Sequence, residues 1–187
     1  TEGVRHIVVD SFDELDRLEG LHAQGLPAPK VLARITPGVH AHTHEFIATG
    51  QDDSKFGFNL GNGDAHRAVD RMRRSPAVEL DGVHCHIGSN VFEASNFAKA
   101  AEVMAGFAIP LDLPELVLGG GLGVPYVEGE EAPSITQWGN VLLDACQALG
   151  VRSSVSVEPG RSIVGGAAIT VYTVGTVKHI PGVRTYV

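Results

Sequence analysis

Residues 82–89 read Gly-Val-His-Cys-His-Ile-Gly-Ser and overlap the end of an apolar stretch, 77–83, that has the composition of a β-strand. Successive side chains of a strand point to opposite faces, so His84 and His86 share one face and Cys85 lies on the other. Two imidazoles, a glycine and a hydroxyl group therefore meet at one strand end. This arrangement predicts a functional site at this strand end and a fold in which functional residues are located at the ends of strands.

Strand-like and helix-like segments alternate along most of the chain. The predicted strands cover 6–9, 31–35, 77–83, 116–118 and 154–157. The predicted helices cover 12–18, 63–74, 95–107 and 135–149. Short apolar strands that are followed by helices favour an α/β fold with a parallel sheet over a sandwich or a helical bundle.

The number of these units predicts an incomplete (β/α)8 barrel. A complete barrel needs roughly 200 to 250 residues, and about five strand and helix units are too few to close one. We therefore expect residues 1–166 to form the later part of a barrel in a larger protein. Residues 167–187 are rich in β-forming residues without a following helix, and we expect them to begin a second, C-terminal β domain.

The composition is that of a globular protein, with 187 residues, 43% hydrophobic and 19% charged residues, and a net charge of −8. The acidic balance argues against a nucleic-acid partner. No apolar run of about 18 residues predicts a membrane span, and the first residues do not resemble a secretion signal, so we expect a cytoplasmic protein. Cys85 and Cys146 have no CxxC spacing and predict neither a disulfide framework nor a cysteine zinc site.

Polar motifs follow three successive predicted strands, at 84–89, 119–123 and 158–161. In a parallel barrel the carboxyl ends of the strands lie on one face, where barrel active sites occur. The glycines of the second motif leave backbone N–H groups uncovered, which suits a bound phosphate. A tight turn between a strand and a helix is the alternative interpretation of these glycines.

Glu158 follows an apolar strand directly and precedes Pro159 and Gly160, a position in which its charge needs a partner. One candidate is a protonated pyridine nitrogen, because an acid there keeps such a ring cationic and electron-withdrawing. The alternative is an ion pair with Arg161 or Arg34. Arg161 is itself a candidate for contact with a phosphate or carboxylate group, or for a surface ion pair.

A pair of histidines spaced His-x-His also suggests a metal-dependent hydrolase of the amidohydrolase kind. Zinc needs three or four ligands, and His40, His42 and His44 are candidates for the others. These three lie in a loop that is also rich in threonine and glutamate, and we predict that no metal is bound. Hydrogen-bonded or packed imidazoles are the remaining interpretation of His84 and His86.

Longer motifs resemble those of a known family. They are Arg34-Ile35-Thr36-Pro37-Gly38-Val39, His42-Thr43-His44-Glu45, Thr49-Gly50-Gln51, Ser54-Lys55-Phe56-Gly57 and the three strand-end motifs. With them, essentially the whole chain resembles the fold-type III pyridoxal 5'-phosphate (PLP) decarboxylases, in particular the diaminopimelate decarboxylases of lysine biosynthesis. The resemblance implies an alanine-racemase-like barrel that binds PLP and an amino-acid substrate. In the full-length parent, the implied reaction converts meso-diaminopimelate to L-lysine.

The resemblance also implies a role for each matched residue. The implied cofactor-binding residues are His86, Ser89, Gly119, Gly120, Gly121, Glu158, Pro159, Gly160, Arg161 and Arg34. His86 would stack on the cofactor ring, Ser89 and the three glycines would hold its phosphate, and Glu158 would pair with the pyridine nitrogen. Arg161 would also contact substrate, and Arg34 would line the ring. Glu158 and His86 are thus the implied catalytic residues.

Two parts of the family's chemistry have no counterpart in the sequence. None of the four lysines, Lys30, Lys55, Lys99 and Lys178, occupies the position of the family's Schiff-base lysine, which lies on an early barrel strand. The family's catalytic cysteine lies in the C-terminal β domain, across a dimer interface. We therefore expect the chain alone to be inactive and the full-length parent to be a homodimer. A non-catalytic PLP- or phosphate-binding protein and an ornithine or arginine decarboxylase are alternative functions.

Overall fold

The computed structural model describes residues 3–39, residue 50 and residues 54–187. The strands are β1 (Ile7–Val9), β2 (Lys30–Thr36), β3 (Phe58–Asn59), β4 (Glu79–His84), β5 (Glu115–Gly120), β6 (Ser154–Glu158), β7 (Lys178–Ile180) and β8 (Arg184–Tyr186). The α-helices are α1 (Phe12–Ala23), α2 (Asp64–Arg74), α3 (Ala94–Ala108), α4 (Ile135–Ala148) and α5 (Arg161–Val164). Each strand and helix predicted from the sequence up to residue 158 is present.

Strands β1 to β6 form one parallel sheet, which confirms the predicted α/β class. The order of the strands is β1-β2-β4-β5-β6, and the short β3 pairs with the end of β2. Helices connect β1 to β2, β3 to β4, β4 to β5 and β5 to β6. Because all strands run the same way, their carboxyl ends lie along one edge of the sheet.

Two helices begin at side-chain caps that the sequence encodes locally. The Ser11 hydroxyl accepts a hydrogen bond from the backbone N–H of Glu14 at 3.2 Å and starts α1. Ser134 and Gln137 form a capping box at the start of α4. Such caps satisfy backbone N–H groups that have no partner within the helix, so they set where the helices begin.

The hydrophobic core lies between the sheet and its helices. Buried residues of the strands and helices that meet there include Val31, Ala33, Val83, Leu116, Leu118, Val69, Met72, Phe97, Met104, Trp138 and Leu142. Phe97 of α3 and Trp138 of α4 pack edge to face with their ring centroids 5.5 Å apart. Burial of these side chains, at about 25 cal/mol per Å² of apolar surface, is the main stabilising contribution to the fold.

The opposite face of the sheet carries buried charge near the amino ends of the strands. The Asp81 carboxylate lies 2.5 Å from Nε2 of His6 and 3.0 Å from Nζ of Lys30. The register of β2 against β4 shifts between Val31 and Leu32, so that Asp81 has no residue opposite it on β2. The hydrogen bond from His6, followed by that from Lys30, holds the pKa of Asp81 below its usual value.

Glu115 is a second buried carboxylate on this face. It forms an ion pair with Arg5 and accepts a hydrogen bond from the Ser156 hydroxyl at 3.3 Å. These contacts connect the segment before β1, strand β5 and strand β6. The two carboxylates and their partners therefore cross-link five elements at the amino ends of the strands, away from the sequence motifs.

The C-terminal segment differs from the rest of the chain. Strands β7 and β8 form an antiparallel hairpin, and the β structure expected from residue 167 begins only at Lys178, because residues 168–177 pair with no strand in the described chain. Exposed apolar side chains on this segment are Ile169, Val171, Tyr172, Val174, Val177, Val183, Tyr186 and Val187. No helix within the described parts of the chain is long and apolar enough to cross a membrane.

Asp81→Asn in the full-length protein should lower the Tm at pH 7 by about 4 °C or more, because weakening the hydrogen bonds of a buried charged group costs about 2 kcal/mol. Asp81 has a lowered pKa in the folded state, so its contribution is complete above its ordinary pKa and declines as the pH falls. The difference in Tm should therefore be constant down to about pH 4 and decrease below that, as differential scanning calorimetry will measure.

The matched control is Asp13→Asn, which removes the exposed i,i+4 ion pair with Arg17. Exposed pairs of this kind contribute about 0.5 kcal/mol or less, so the control should change the Tm by about 1 °C at most. Equal effects of the two substitutions, or an Asp81 effect that grows as the pH falls towards 3, would contradict the role given to Asp81.

Candidate functional site

The carboxyl ends of the strands bring together polar side chains from four strands. We call this group the mouth; it comprises Asp10 after β1, Arg34 of β2, His84 and His86 of and after β4, and Glu158 at the end of β6. Arg34 and His84 are directly opposite each other on β2 and β4. The structure therefore brings the motifs at 84–89 and 158–161 together with Arg34. The glycine motif at 119–123 lies between them, at the end of β5.

The glycine motif brings these strand ends together. Gly120 is paired with Glu158 of β6, and a Cβ atom added to Gly120 would overlap the Glu158 carbonyl oxygen. Gly121 has a φ of +98°, and a Cβ there would overlap the carbonyl oxygen of Gly88. Only glycine combines this left-handed backbone with so close an approach of a neighbouring chain. Part of the motif is strand, since β5 extends through Gly120.

Glu158 is held by His84. Nε2 of His84 lies 3.2 Å from Oε1 and 3.4 Å from Oε2 of the carboxylate. The imidazole is buried, with 6% of its side chain exposed, whereas half of the Glu158 side chain is exposed. The hydrogen bond from His84 lowers the pKa of Glu158, and this outweighs the opposing effect of burial. The sequence suggested Arg161 or Arg34 as protein partners of Glu158, and the observed partner is a histidine.

His86 lies half-buried beside this pair. Its Nδ1 accepts a hydrogen bond from the backbone N–H of Gly120 at 3.3 Å. Burial lowers the pKa of His86, and the nearby Arg34 guanidinium lowers it further. The ring is therefore neutral at pH 7, an uncharged flat surface suited to packing against another ring.

Arg34 is fixed from two sides. Its NH1 group forms an ion pair with Asp10 at 2.8 Å, and its guanidinium lies 4.6 Å from the centre of the Phe56 ring. Sequence reasoning missed Asp10 as a member of the mouth, because an acid just before α1 is also typical of a helix start. The position of Asp10 directly after an apolar strand is the sequence signal that could have identified it as a residue of the mouth.

The remaining predicted residues lie on turns at the same edge. Ser89 is half-buried in the turn after β4, and its Cα lies 3.5 Å from the position of a Cβ on Gly121. The Pro159 carbonyl accepts a hydrogen bond from the Ser162 hydroxyl at 2.9 Å and closes the turn through Gly160. Arg161 is exposed, and its side chain lies 3.5 Å from the Tyr126 hydroxyl rather than beside Glu158.

Two other chemistries receive no support from these residues. No group of three or more His, Cys, Asp and Glu side chains within the described ranges is arranged to hold a metal ion, and His40, His42 and His44 lie outside those ranges. Cys85 is fully buried, and burial raises the pKa of its thiol to about 12. A thiol in that state is not a nucleophile at neutral pH.

The fold and the mouth define the class of parallel α/β domains whose ligand site lies at the carboxyl ends of the strands. A family model described as pyridoxal-dependent decarboxylase, pyridoxal binding domain, matches residues 1–165. The chain therefore belongs to the pyridoxal-dependent decarboxylase family, and the predicted family and its cofactor, PLP, are confirmed.

Relatives within this family are diaminopimelate decarboxylases. Those of Bacillus subtilis and Corynebacterium efficiens are 44% and 42% identical to the chain, over 97% and 94% of its length. The matched parts are 44% and 40% of those proteins, so the chain spans less than half the length of these curated relatives.

Solved structures give the same result. Diaminopimelate decarboxylase from Helicobacter pylori complexed with L-lysine matches with a TM-score of 0.74 and 32% identity, over 83% of this chain and 40% of that one. The enzyme from M. jannaschii in co-complex with L-lysine matches with a TM-score of 0.76 and 29% identity, over 86% of this chain and 39% of that one.

The mouth fits each part of PLP. The backbone at Gly119 and Gly121, which carries no side chain, suits a phosphate, whereas the N–H of Gly120 already donates to Nδ1 of His86. The neutral imidazole of His86 suits the face of a ring, and the ionised Glu158 suits a protonated ring nitrogen. These three features lie on adjacent strand ends, and the order β4-β5-β6 fixes their relative positions.

Gly121→Ala should weaken binding of PLP to the full-length protein by about tenfold, because an L-residue in the left-handed region costs about 1–2 kcal/mol and the new methyl group displaces the Gly88 backbone. Titration of the apoprotein with PLP, followed by fluorescence, gives the apparent Kd. We also expect a lower Tm.

Gly139→Ala is the matched control, since Gly139 lies inside α4 and a Cβ there meets nothing within 4 Å. It should leave the Kd unchanged and stabilise the helix by about 0.5–1 kcal/mol. If both alanine variants bind PLP like the parent protein, the turn tolerates a side chain and does not depend on glycine.

Proposed function

We propose that this chain supplies the cofactor-binding part of a PLP-dependent decarboxylase that converts meso-diaminopimelate to L-lysine. Support comes from the family match, from relatives named diaminopimelate decarboxylase and from related structures in complex with L-lysine. The single observation that carries the chemistry is the carboxylate of Glu158, kept ionised by His84 next to the glycine turn and the ring of His86.

The proposed binding roles follow from position. Gly119, Gly120 and Gly121 with Ser89 would hold the phosphate of PLP, and His86 would cover one face of the ring. The turn through Pro159 and Gly160 would place Glu158 at the ring nitrogen. Arg34, fixed by Asp10 and Phe56, would line the ring.

When bound, PLP supplies a ring that withdraws the electrons left behind as the substrate loses its carboxylate as carbon dioxide. Glu158 contributes by holding a proton on the ring nitrogen, because an adjacent anion favours the cationic ring. The neutral His86 would pack on the ring without opposing that positive charge. Arg161 is exposed near this edge, and its permanent charge suits a substrate carboxylate.

The lysine that carries PLP covalently would come from another part of the longer protein. Lys30 begins β2 at the end opposite the mouth and pairs with Asp81, whereas Lys99 is exposed on α3 beside Glu102. Lys178 begins β7 in the C-terminal hairpin, and Lys55 lies over the Phe56 ring with its Nζ 5.0 Å from the ring centre. The positions of Lys30 and Lys99 support a lysine from elsewhere, and the catalytic cysteine that the family resemblance implies would likewise come from another part of the longer protein.

The remaining expectations belong to the same proposal. Residues 1–166 would be part of the PLP-binding barrel and 167–187 the entry to a β domain, in keeping with the antiparallel hairpin of β7 and β8. Exposed apolar residues on that segment suit a homodimer interface. A cytoplasmic location is supported by two buried and unpaired cysteines, Cys85 and Cys146.

Glu158→Gln in the full-length protein should retain PLP but lower the kcat for release of carbon dioxide from meso-diaminopimelate by about a hundredfold or more, since a neutral amide cannot stabilise a cationic ring. Absorbance of the bound cofactor and release of carbon dioxide measure the two properties separately. Glu102→Gln, on the exposed face of α3, is the control and should behave like the parent.

Turnover by Glu158→Gln at the parental rate would remove Glu158 from this role. PLP bound without any release of carbon dioxide from the unmodified protein would instead favour a non-catalytic PLP-binding protein. Faster turnover of ornithine or arginine than of meso-diaminopimelate would assign another substrate. Borohydride reduction followed by peptide mapping identifies the lysine that carries PLP, and a modified Lys30 or Lys99 would contradict the proposed arrangement.

A further inference from the structure

His84 is a buried polar residue for which the proposed cofactor contacts leave no direct role. Its ring lies on β4, in the middle of the sheet, with β2 on one side and β5 on the other. Within the described chain, the Glu158 carboxylate is the only group that hydrogen-bonds to this ring. Its Nδ1 is buried and has no hydrogen-bond partner among the described residues. A ring with a single polar contact is oriented by that contact.

The donor in this contact is defined by chemistry. A carboxylate only accepts hydrogen bonds, so Nε2 of His84 must carry the hydrogen that points at Glu158. The contact therefore has one direction: Nε2–H of His84 donates and the Glu158 carboxylate accepts.

The two partners differ in how firmly they are held. Arg34 lies opposite His84 on β2, and Val117 lies opposite it on β5, so backbone pairing fixes His84 on both sides. Glu158 is the last residue of β6, the final strand in the described sheet order, and half of its side chain is exposed. An exposed glutamate at a strand end has several accessible rotamers, and a hydrogen bond from a buried ring selects one of them.

We propose that His84 is a positioning residue for the cofactor: its Nε2–H fixes the carboxylate of Glu158 in the orientation and ionised state that a protonated ring nitrogen requires. This inference rests on the proposed function, because it takes Glu158 as the partner of the ring nitrogen. His84 touches neither cofactor nor substrate in this role and acts only through Glu158. Among the described residues, the other charged or titratable groups that interact with Glu158 are His86, Arg34 and Cys85.

The test compares His84→Leu with His84→Gln in the full-length protein loaded with PLP that is labelled with ¹⁵N at the ring nitrogen. The ¹⁵N chemical shift reports whether that nitrogen is protonated, independently of turnover. His84→Leu should move the signal towards neutral pyridine and lower kcat by about tenfold, as expected for loss of a hydrogen bond to a charged group. The KM for substrate should change by less than about twofold, since no substrate contact is lost.

Glutamine supplies the rescue, because its amide nitrogen occupies nearly the position of Nε2, whereas that of asparagine lies nearer to Nδ1. His84→Gln should therefore restore the parental ¹⁵N signal and most of kcat, and His84→Asn should not. Both amides are polar and of similar size, so this pair keeps the test decisive if the leucine variant does not fold. Val83→Ala, one residue earlier and in the core on the other face, should lower the Tm without moving the ¹⁵N signal.

Each result has a defined meaning. A parental ¹⁵N signal and kcat in His84→Leu, or equal behaviour of the glutamine and asparagine variants, would overturn the role of His84. The Glu158→Gln variant tests the proposed role of Glu158 separately from that of His84. If Glu158 pairs with the ring nitrogen, this substitution must move the ¹⁵N signal. If Glu158→Gln leaves the signal unchanged, the proposed function of Glu158 fails first. If only Glu158→Gln moves it, Glu158 keeps its role and His84 loses its own.

Discussion

The close approach of three strand ends is the constraint on which the mouth depends. Strands β4, β5 and β6 converge at their carboxyl ends so tightly that the backbone of one occupies the space a Cβ would need on the next, at Gly120 and Gly121. A parallel sheet normally keeps neighbouring strands about 4.8 Å apart with side chains between the layers. Here the missing side chains let His86 and Glu158 face the same small volume, with bare backbone between them.

On the face of the sheet opposite the hydrophobic core, stabilising residues and ligand-binding residues occupy different ends of the strands. At the amino ends, Asp81 and Glu115 are buried carboxylates whose partners lie on neighbouring elements, and they cross-link the sheet. At the carboxyl ends, Arg34 and Glu158 keep exposed surface and are oriented by one or two contacts each. Side chains that bind a ligand must keep some hydrogen-bonding capacity free of protein partners. Placing the fully paired carboxylates at the amino ends and the partly exposed groups at the carboxyl ends meets the needs of both stability and binding.

Local patterns in the sequence determine much of this fold. Alternating apolar strands and capped helices were predictable because their periodicity and caps are encoded within a few residues, and the three strand-end motifs followed from their order along the chain. The His84–Glu158 pair was not predictable in this way, since its partners are 74 residues apart. Its formation depends on the register of β4, β5 and β6, which includes a shift between Val117 and Gly120. The family resemblance supplied the cofactor, but no motif indicated what holds Glu158.

A carboxylate that binds a cationic ring must satisfy two opposing demands. Deep burial would strengthen its interaction with the ring but would also favour the protonated acid, as burial does for Glu158 on its own. Full exposure would keep the charge but weaken the interaction by solvation and leave the side chain free to rotate. The half-exposed Glu158 meets both demands because it is held by the buried His84. The hydrogen bond offsets the cost of partial burial, and it also fixes the rotamer of the carboxylate. The ionised state and the orientation of Glu158 are therefore determined by the buried His84, a residue that need not contact the cofactor.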